Sequence, residues 1–381
     1  MTGVAKPRLS IVHWMPVEMY PPTMNLARHF DKLGWDVSLH TTEPRHQLKP
    51  FPGDRIRVTR ARNPSNRGAF ARALEYLRFY LGTTLRLVKE KPDAILYYEP
   101  QSSLPVFLAS LARKDVPVFI HHHEYHGPED FEKPGMRLPR LFHRIERRRL
   151  FPRSKWISHT NDQRLRLFAS DNPTVPREKL KVLPNFPPSI WFGSRNVAWS
   201  ESQPPPLRIA YVGSLSRSDT YIEKFTAWVQ QHAGLVTLDI FAYNLDRDTL
   251  SYLRSIREDA IRFHEAGIPY DDLPGILRHF HVGAILYRAT TLNYIHNASN
   301  KLFEYLACGM DVIFPVEMLG VQPFVSDSAP RVIPVDFSSL QLDVGALSER
   351  TEPIPGRKFD TAEDAMTELQ VAIYNAIGIT G

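Results

Sequence analysis

Lys301 and Glu304 stand one helical turn apart in "NASNKLFEYLACG" (297–309). A core helix needs only its apolar residues, so a cation in the first turn and a carboxylate one turn on need a further explanation. Leu302, Phe303 and Leu306 are enough to anchor such a helix and Gly309 to stop it, which leaves the charged pair for the rest of the chain to explain. A second chemical segment is "YVGSLSRSD" (211–219), where a strand ends at Gly213 and a helix follows. Gly213 and Ser214 let backbone N–H groups approach a phosphate, and Arg217 adds a charge-assisted donor.

Earlier in the chain, "HHHEYHG" (121–127) closes a strand. Side chains alternate along a strand, so His121 and His123 share one face and His122 and Glu124 the other. Imidazoles and a carboxylate at a strand's carboxyl end suit hydrogen bonding to sugar hydroxyls or general-base work, with His123 and Glu124 as the candidates. Two histidines at i, i+2 also fit zinc, and simple packing is the third reading. The loop "WMPVEMYPP" (14–22) follows the first strand without the glycine fingerprint of dinucleotide-binding proteins, which argues against a dinucleotide there. Its Glu18 either reaches a site or lies in water. The segment 137–156 carries eight basic residues from Arg137 to Lys155 against one acid, Glu146. Leu138, Leu141, Phe142 and Ile145 have helical spacing and are expected to pack inward, leaving the arginines in solvent or against an anionic acceptor or membrane surface. It lacks the aromatic interleaving of a nucleic-acid platform, so no nucleic-acid partner is expected.

These segments need a scaffold, and the chain supplies a regular one. Short apolar runs alternate with amphipathic segments, the pattern of strand–helix–strand units on a parallel sheet. Strands are predicted at 9–15, 36–42, 93–98, 117–123, 155–160 and 180–184, then at 207–213, 236–242, 261–264, 282–287, 311–315 and 331–335. Helices are predicted near 22–33, 68–90, 102–113, 138–150, 161–169 and 360–377. The polar, proline-rich stretch 196–206 breaks the rhythm and reads as a linker between a domain at 1–195 and a second at 207–357, with the closing helix in 358–381 free to pack back on the first. The expected fold is α/β, two doubly wound Rossmann-like domains facing across a cleft, and ligands of such sheets bind beyond the strands' carboxyl ends.

At 381 residues, 43% hydrophobic and 23% charged, the chain has the size and balance of a two-domain globular protein, and its 32 prolines are dispersed through short loops. A net charge of +6 permits an anionic ligand without requiring nucleic acid. Cys308 is the single cysteine, which excludes an intrachain disulfide and a cysteine metal cluster. No apolar run approaches the roughly 20 residues that span a bilayer, and the run before Pro16 is too short for a signal peptide, so the cytoplasm is the expected location.

"KLFEYLACGMDVIFP" (301–315) resembles the signature of GT-B glycosyltransferases of family 4, also called group 1, where lysine and glutamate open a helix before A-x-G-x-P-V-I. "MNLARHFDKLGWDVSLHTT" (24–42), "KLKVLPNFPP" (179–188), "LRIAYVGSLSR" (207–217) and "GIPYDDLPGILRHFHVGAILY" (267–287) resemble other family segments in the expected order. The resemblance implies a second domain that holds a UDP- or GDP-linked sugar and a first that holds a glycan, lipid-linked or small-molecule acceptor, as in polysaccharide biosynthesis. It implies Arg217 and Lys301 at the diphosphate, Glu304 at the ribose hydroxyls, and Gly213 with Ser214 at the close-approach turn. Gly267 would border the base, with Tyr287, His296, Ser299 and Asn300 around the donor. A histidine such as His123 would stand near the transferred sugar. No cofactor is implied beyond the donor, and no metal, since cationic side chains would take the phosphate charge. Where retaining members commonly have a first glutamate, eight residues before Glu304, this chain has His296. A nucleotide-sugar 2-epimerase and a non-catalytic nucleotide-sugar binder share the fold and stay open as alternatives.

Overall fold

The computed structural model describes residues 6–44, 51, 55–62, 69–133, 136–193, 196–200, 206–243, 245–349, 351 and 358–379. The chain divides into two compact units, one of Met1–Pro184 with Ala362–Gly381, the other of Asn185–Thr361. Of the expected linker, 201–205 lie outside the described residues. Its first residue is packed into the second unit, the Asn196 side-chain amide donating to the carbonyls of Phe280 at 3.1 Å and Cys308 at 3.0 Å.

In the first unit, strands β1 (Arg8–His13), β2 (Asp36–Thr42), β3 (Arg57–Ala61), β4 (Ala94–Tyr98), β5 (Val118–His122), β6 (Trp156–His159) and β7 (Leu180–Val182) form one sheet. Their order is β3-β2-β1-β4-β5-β6-β7 and every pairing is parallel. Runs such as "AILYY" in β4 are buried on both faces because crossover helices cover both, which removes the polar alternation of a half-exposed strand. β3, an edge strand of sequence RVTRA, is the one strand of this sheet that apolar patterning does not predict. Strand order reverses between β1 and β4, so the crevice of this unit opens beyond their carboxyl ends. The last helix, Ala362–Ile377, packs on helix Pro21–Lys32, with His29 bonded to Gln370 at 3.0 Å and Lys181 to Glu368 at 2.6 Å.

Helix Arg137–Ile145 differs from its expected packing. Phe142 is buried, but Leu138 and Leu141 are 48% and 49% exposed. The helix runs into a π-helical turn, Glu146–Leu150, that carries Glu146 and Leu150 into the core. Phe142, Glu146 and Leu150 recur every four residues and set the buried face, which leaves the two leucines outside among the arginines.

In the second unit, β8 (Leu207–Gly213), β9 (Val236–Ala242), β10 (Ile261–His264), β11 (Val282–Ala284), β12 (Asp311–Pro315) and β13 (Val332–Val335) form a parallel sheet ordered β10-β9-β8-β11-β12-β13. The reversal here lies between β8 and β11. β11 ends at Ala284 and the chain then crosses to the β8 side, where Tyr287 bridges Thr220. Helix Asn300–Ala307 sits tightly on the strands: a Cβ on Gly283 would lie 2.2 Å from the Tyr305 ring. The Tyr305 hydroxyl accepts the Val212 N–H at 3.0 Å, which ties the helix to the end of β8.

Candidate functional site

Helix Asn300–Ala307 begins where Ser299 caps it, its hydroxyl accepting the Lys301 N–H at 3.4 Å, and it stops at Gly309 with φ +69°. Lys301, Glu304 and Tyr305 fall at i, i+3 and i+4, so anchoring Tyr305 to the sheet turns the other two toward the strand ends. Lys301 is 9% exposed, and its ammonium donates to the Tyr287 hydroxyl at 2.6 Å beneath the rings of Tyr287 and Tyr211. It lies directly against Gly213, whose φ is +113°; a Cβ there would lie 2.9 Å from Lys301 Cε. Gly213, Tyr287 and Lys301 therefore form one cluster at the switch point of the second sheet. Ser214 is exposed next to it, its carbonyl accepting from the Tyr211 hydroxyl at 2.7 Å.

Glu304 is 5% exposed, and among the described residues no hydrogen bond is made by its carboxylate. Burial pushes its carboxyl up to about 7, against the opposing charge of Lys301. The neighbouring Tyr243 hydroxyl is pushed up by burial and by the Glu304 charge. Tyr243 in turn fills the space a Cβ on Gly267 would need, at 3.1 Å, so the Gly267 turn belongs to the same neighbourhood. Asn300 accepts from the Asn185 amide at 3.2 Å, and Phe186 packs edge-on against Phe303 at 4.7 Å, which ties the first residues of the second unit to this helix.

Arg217 and His296 have partners that the sequence did not foresee. Arg217 turns to helix Arg247–Ser255: it bonds both carboxylate oxygens of Asp248 at 2.8 Å and Glu223 at 3.0 Å, and its guanidinium lies over the Tyr252 ring. His296 ends helix Leu292–Ile295, where Gly320 approaches so closely that a Cβ would lie 2.6 Å from the His296 carbonyl carbon.

In the first unit the crevice between β1 and β4 is lined with aromatic and imidazole rings. The His123 ring stacks with Tyr98 at 4.9 Å and Tyr20 at 5.6 Å, and its Nε2 lies 3.4 Å from the Thr23 hydroxyl. Thr23 also reaches His13 Nδ1 at 3.1 Å. Burial and the nearby His123 hold His13 well below the usual imidazole range. Burial and its neighbouring imidazoles, His123 first, do the same to His121. Both rings are neutral at neutral pH. Glu124 is exposed and lies 3.5 Å from His126 Nε2. Glu18 is buried and bonded to both guanidinium nitrogens of Arg60, while the Phe51 N–H donates to it at 2.9 Å. That pairing makes it the tie between the first loop and β3. Among the described residues no group of three or more His, Cys, Asp or Glu is placed to hold a metal ion.

Glu99, Arg164 and Glu146 were not predicted. Glu99 ends β4 at φ 63°, and its carboxylate accepts the N–H groups of His123 at 2.6 Å and Glu124 at 3.2 Å. Burial pushes its carboxyl up to about 7. Arg164 donates to the His123 carbonyl at 2.6 Å, so the His123 backbone is held from both sides. Glu146 accepts from His122 at 3.1 Å and from the Tyr97 hydroxyl at 3.0 Å, which fixes the imidazole next to His123 in the chain. Glu99 stands at a strand's carboxyl end in "DAILYYEP", a signal the topology rule could have used; Glu146 stands out only as the lone acid of a basic run, and nothing local distinguishes Arg164.

Residues 21–185 match the model of the glycosyl transferase 4-like domain. No curated protein sequence matches the chain. Among solved structures, sucrose-phosphate synthase from Thermosynechococcus elongatus is similar with a TM-score of 0.58 and 14% identity, covering 98% of this chain and 96% of that one. Anabaena HepE, in complex with UDP and glucose, is similar with a TM-score of 0.57 and 11% identity over 98% and 97%. UDP-N-acetylglucosamine 2-epimerase from Rickettsia bellii is similar with a TM-score of 0.54 and 11% identity over 98% of each chain. At these identities the likeness is one of fold. Residues 21–185 thus match a glycosyl transferase 4-like domain, set within a fold of two doubly wound α/β units, the GT-B fold that the signature helix implies.

Proposed function

We propose that this protein is a glycosyltransferase that moves a hexosyl group from a UDP- or GDP-linked sugar to a hydroxyl-bearing acceptor. The observation that carries the reading is the cluster at the ends of β8 and β11, where a buried lysine and a bare glycine turn adjoin a buried carboxyl one helical turn on. As the glycosidic bond breaks, charge builds on the leaving diphosphate. An ammonium held in a low-dielectric pocket stabilises that charge more than it stabilises the intact donor, and in this reading no metal ion is required. Glu304 would accept from the ribose hydroxyls. In the first unit His123, or the exposed Glu124, would take the acceptor proton if the reaction inverts. The UDP and glucose bound by the structurally similar HepE favour a UDP donor.

The acceptor reading extends to a membrane surface. Helices Ala69–Glu90, Ser103–Ala112 and Arg137–Ile145 pack in succession and expose Leu81, Leu85, Leu111, Leu138 and Leu141, with Arg137, Arg140 and Arg144 beside the last two. Apolar side chains rimmed by arginine suit the anionic face of a bilayer, where a lipid-linked acceptor would be found. Among the described residues no helix is long and apolar enough to cross a membrane.

Lys301→Ala and Glu304→Ala are each expected to weaken UDP-glucose binding by about 10- to 100-fold, with thermal unfolding little changed. Unchanged calorimetric affinity in both variants would sink the site assignment. Turnover of labelled UDP- and GDP-sugars with and without lipid-linked acceptors then identifies the reaction. Epimerised donor formed without acceptor would establish instead the 2-epimerase that the fold likeness keeps open.

The elevated Glu304 carboxyl adds a pH signature. Ribose hydroxyls donate to the ionised form, so UDP-glucose affinity should rise as pH climbs through about 7, by up to roughly tenfold per unit below it. A sugar diphosphate diester serves as the probe because a terminal phosphate would itself titrate near 6. The Glu304→Gln variant should show a flat profile across this range; a wild-type profile that is equally flat would remove Glu304 from the ligand's hydroxyls.

A further inference from the structure

The first unit holds a cavity of about 380 Å³ between β3 and helix Ala69–Glu90. Among the described residues its walls carry four arginines, Arg60, Arg62, Arg78 and Arg86, and one acid, Glu75. The helix residues recur on one face, Glu75, Phe79, Thr83 and Arg86 at i, i+4, i+8 and i+11, so the helix presents a continuous wall. Thr59 and Thr83 add hydroxyl donors. Glu75 bonds Arg78 at 2.9 Å and Glu18 bonds Arg60, so among the described residues two of the four guanidinium charges have no carboxylate partner. The remaining two arginines, Arg62 and Arg86, are exposed at the cavity's lip.

Like charges gathered on concave walls raise the local potential, and a bound dianion would offset their repulsion. Guanidinium groups with hydroxyls beside them match phosphate oxygens in number and geometry. The volume lies in the range of small-ligand pockets and exceeds what an isolated chloride would need. Glu18 links this cavity to the loop after β1, the same loop that presents Tyr20 to His123.

We propose that this cavity binds a phosphate or diphosphate group carried by the acceptor. The assignment to the acceptor rests on the transferase reading above, whereas the anion site stands on the cavity itself. The group could belong to a soluble sugar phosphate or to the headgroup of a lipid carrier, and the chemistry recognised is the same.

The test titrates the full chain, first saturated with UDP so that the second unit is filled, with inorganic pyrophosphate in a calorimeter. A parallel arm measures retention on neutral phosphatidylcholine vesicles that display a polyprenyl diphosphate. Arg62→Ala and Arg86→Ala should each weaken pyrophosphate binding or vesicle retention by about tenfold, leaving UDP affinity and thermal unfolding unchanged. Arg86→Lys should recover part of the loss, since it keeps the charge and loses the fork. Binding only to free pyrophosphate would assign a soluble acceptor, and retention only on vesicles a lipid carrier; either supports the site. No pyrophosphate binding and no retention, or equal binding by both alanine variants, would overturn it. Should UDP fail to bind while pyrophosphate binding remains sensitive to Arg86, the donor assignment falls and the anion site stands.

Discussion

Replacing Glu146 with alanine should lower the unfolding free energy by about 3–5 kcal/mol, because the substitution strands a buried imidazole and a buried phenol. Glu146 is fully buried and receives hydrogen bonds from His122 and Tyr97, with His143 Nδ1 at 3.4 Å. Burial alone would raise its carboxyl, but the His122 charge and hydrogen bond, with His143 adding to them, hold it down at about 2. Burial would likewise lower His122, and the Glu146 charge wins, raising that imidazole above its usual value. Each sign can be worked separately. The depressed carboxyl contributes stability that is present above its ordinary value near 4.5 and drains away as pH falls toward 2. The raised imidazole contributes stability that is complete below 6.5 and fades as pH rises through its folded value. Urea midpoints measured across pH should therefore be highest between these limits in the wild type. Glu146→Gln keeps an acceptor for Tyr97 and should flatten both limbs at a smaller overall cost. If Glu146→Ala lost less than about 1 kcal/mol, the pair would be neutral and the histidine packing would hold β5 unaided.

The contrast between this pair and the Lys301 cluster explains what was legible. Parallel strands buried on both faces announce themselves as apolar runs, which is why β8, β9 and β12 match their predicted spans residue for residue. β3 escaped because an edge strand can be polar, and its RVTRA has no run to find. That Lys301 and Glu304 share one buried helix face could be read from their spacing, because one helix carries both. Arg217 shows the limit of a local reading: its partners Glu223 and Asp248 lie on two other helices, so the sequence could offer only a charge beside a glycine turn. Leu138 and Leu141 show another limit. Helical spacing identifies an apolar stripe, but which stripe turns inward was decided by a π-helical turn that no periodicity reveals. Glu99 and Arg164 hold the His123 backbone from 24 and 41 residues away, a relation that exists only in the folded chain.

Gly213→Ala should abolish most donor binding, by about 100-fold or roughly 2.7 kcal/mol, through a residue that offers no side chain. Two effects add. An L-residue at φ +113° costs of the order of 1–3 kcal/mol, which should appear as a lower unfolding midpoint. The new methyl would also sit 2.9 Å from Lys301 Cε and 3.0 Å from Nζ, and the flexible lysine end gives way more easily than the strand. Displacing it breaks the 2.6 Å bond to Tyr287 and moves the ammonium off the turn where the diphosphate would lie. The two effects separate in a double-mutant cycle. In a Lys301→Ala background the lysine is absent, so Gly213→Ala should retain its full stability cost while adding little to the loss of UDP-glucose affinity. Additive losses of affinity would mean that the methyl blocks the ligand directly, placing the diphosphate on the glycine and away from the lysine. A Gly213→Ala protein that binds UDP-glucose normally would contradict both routes, since a ligand indifferent to this turn could not be held at the end of β8 at all.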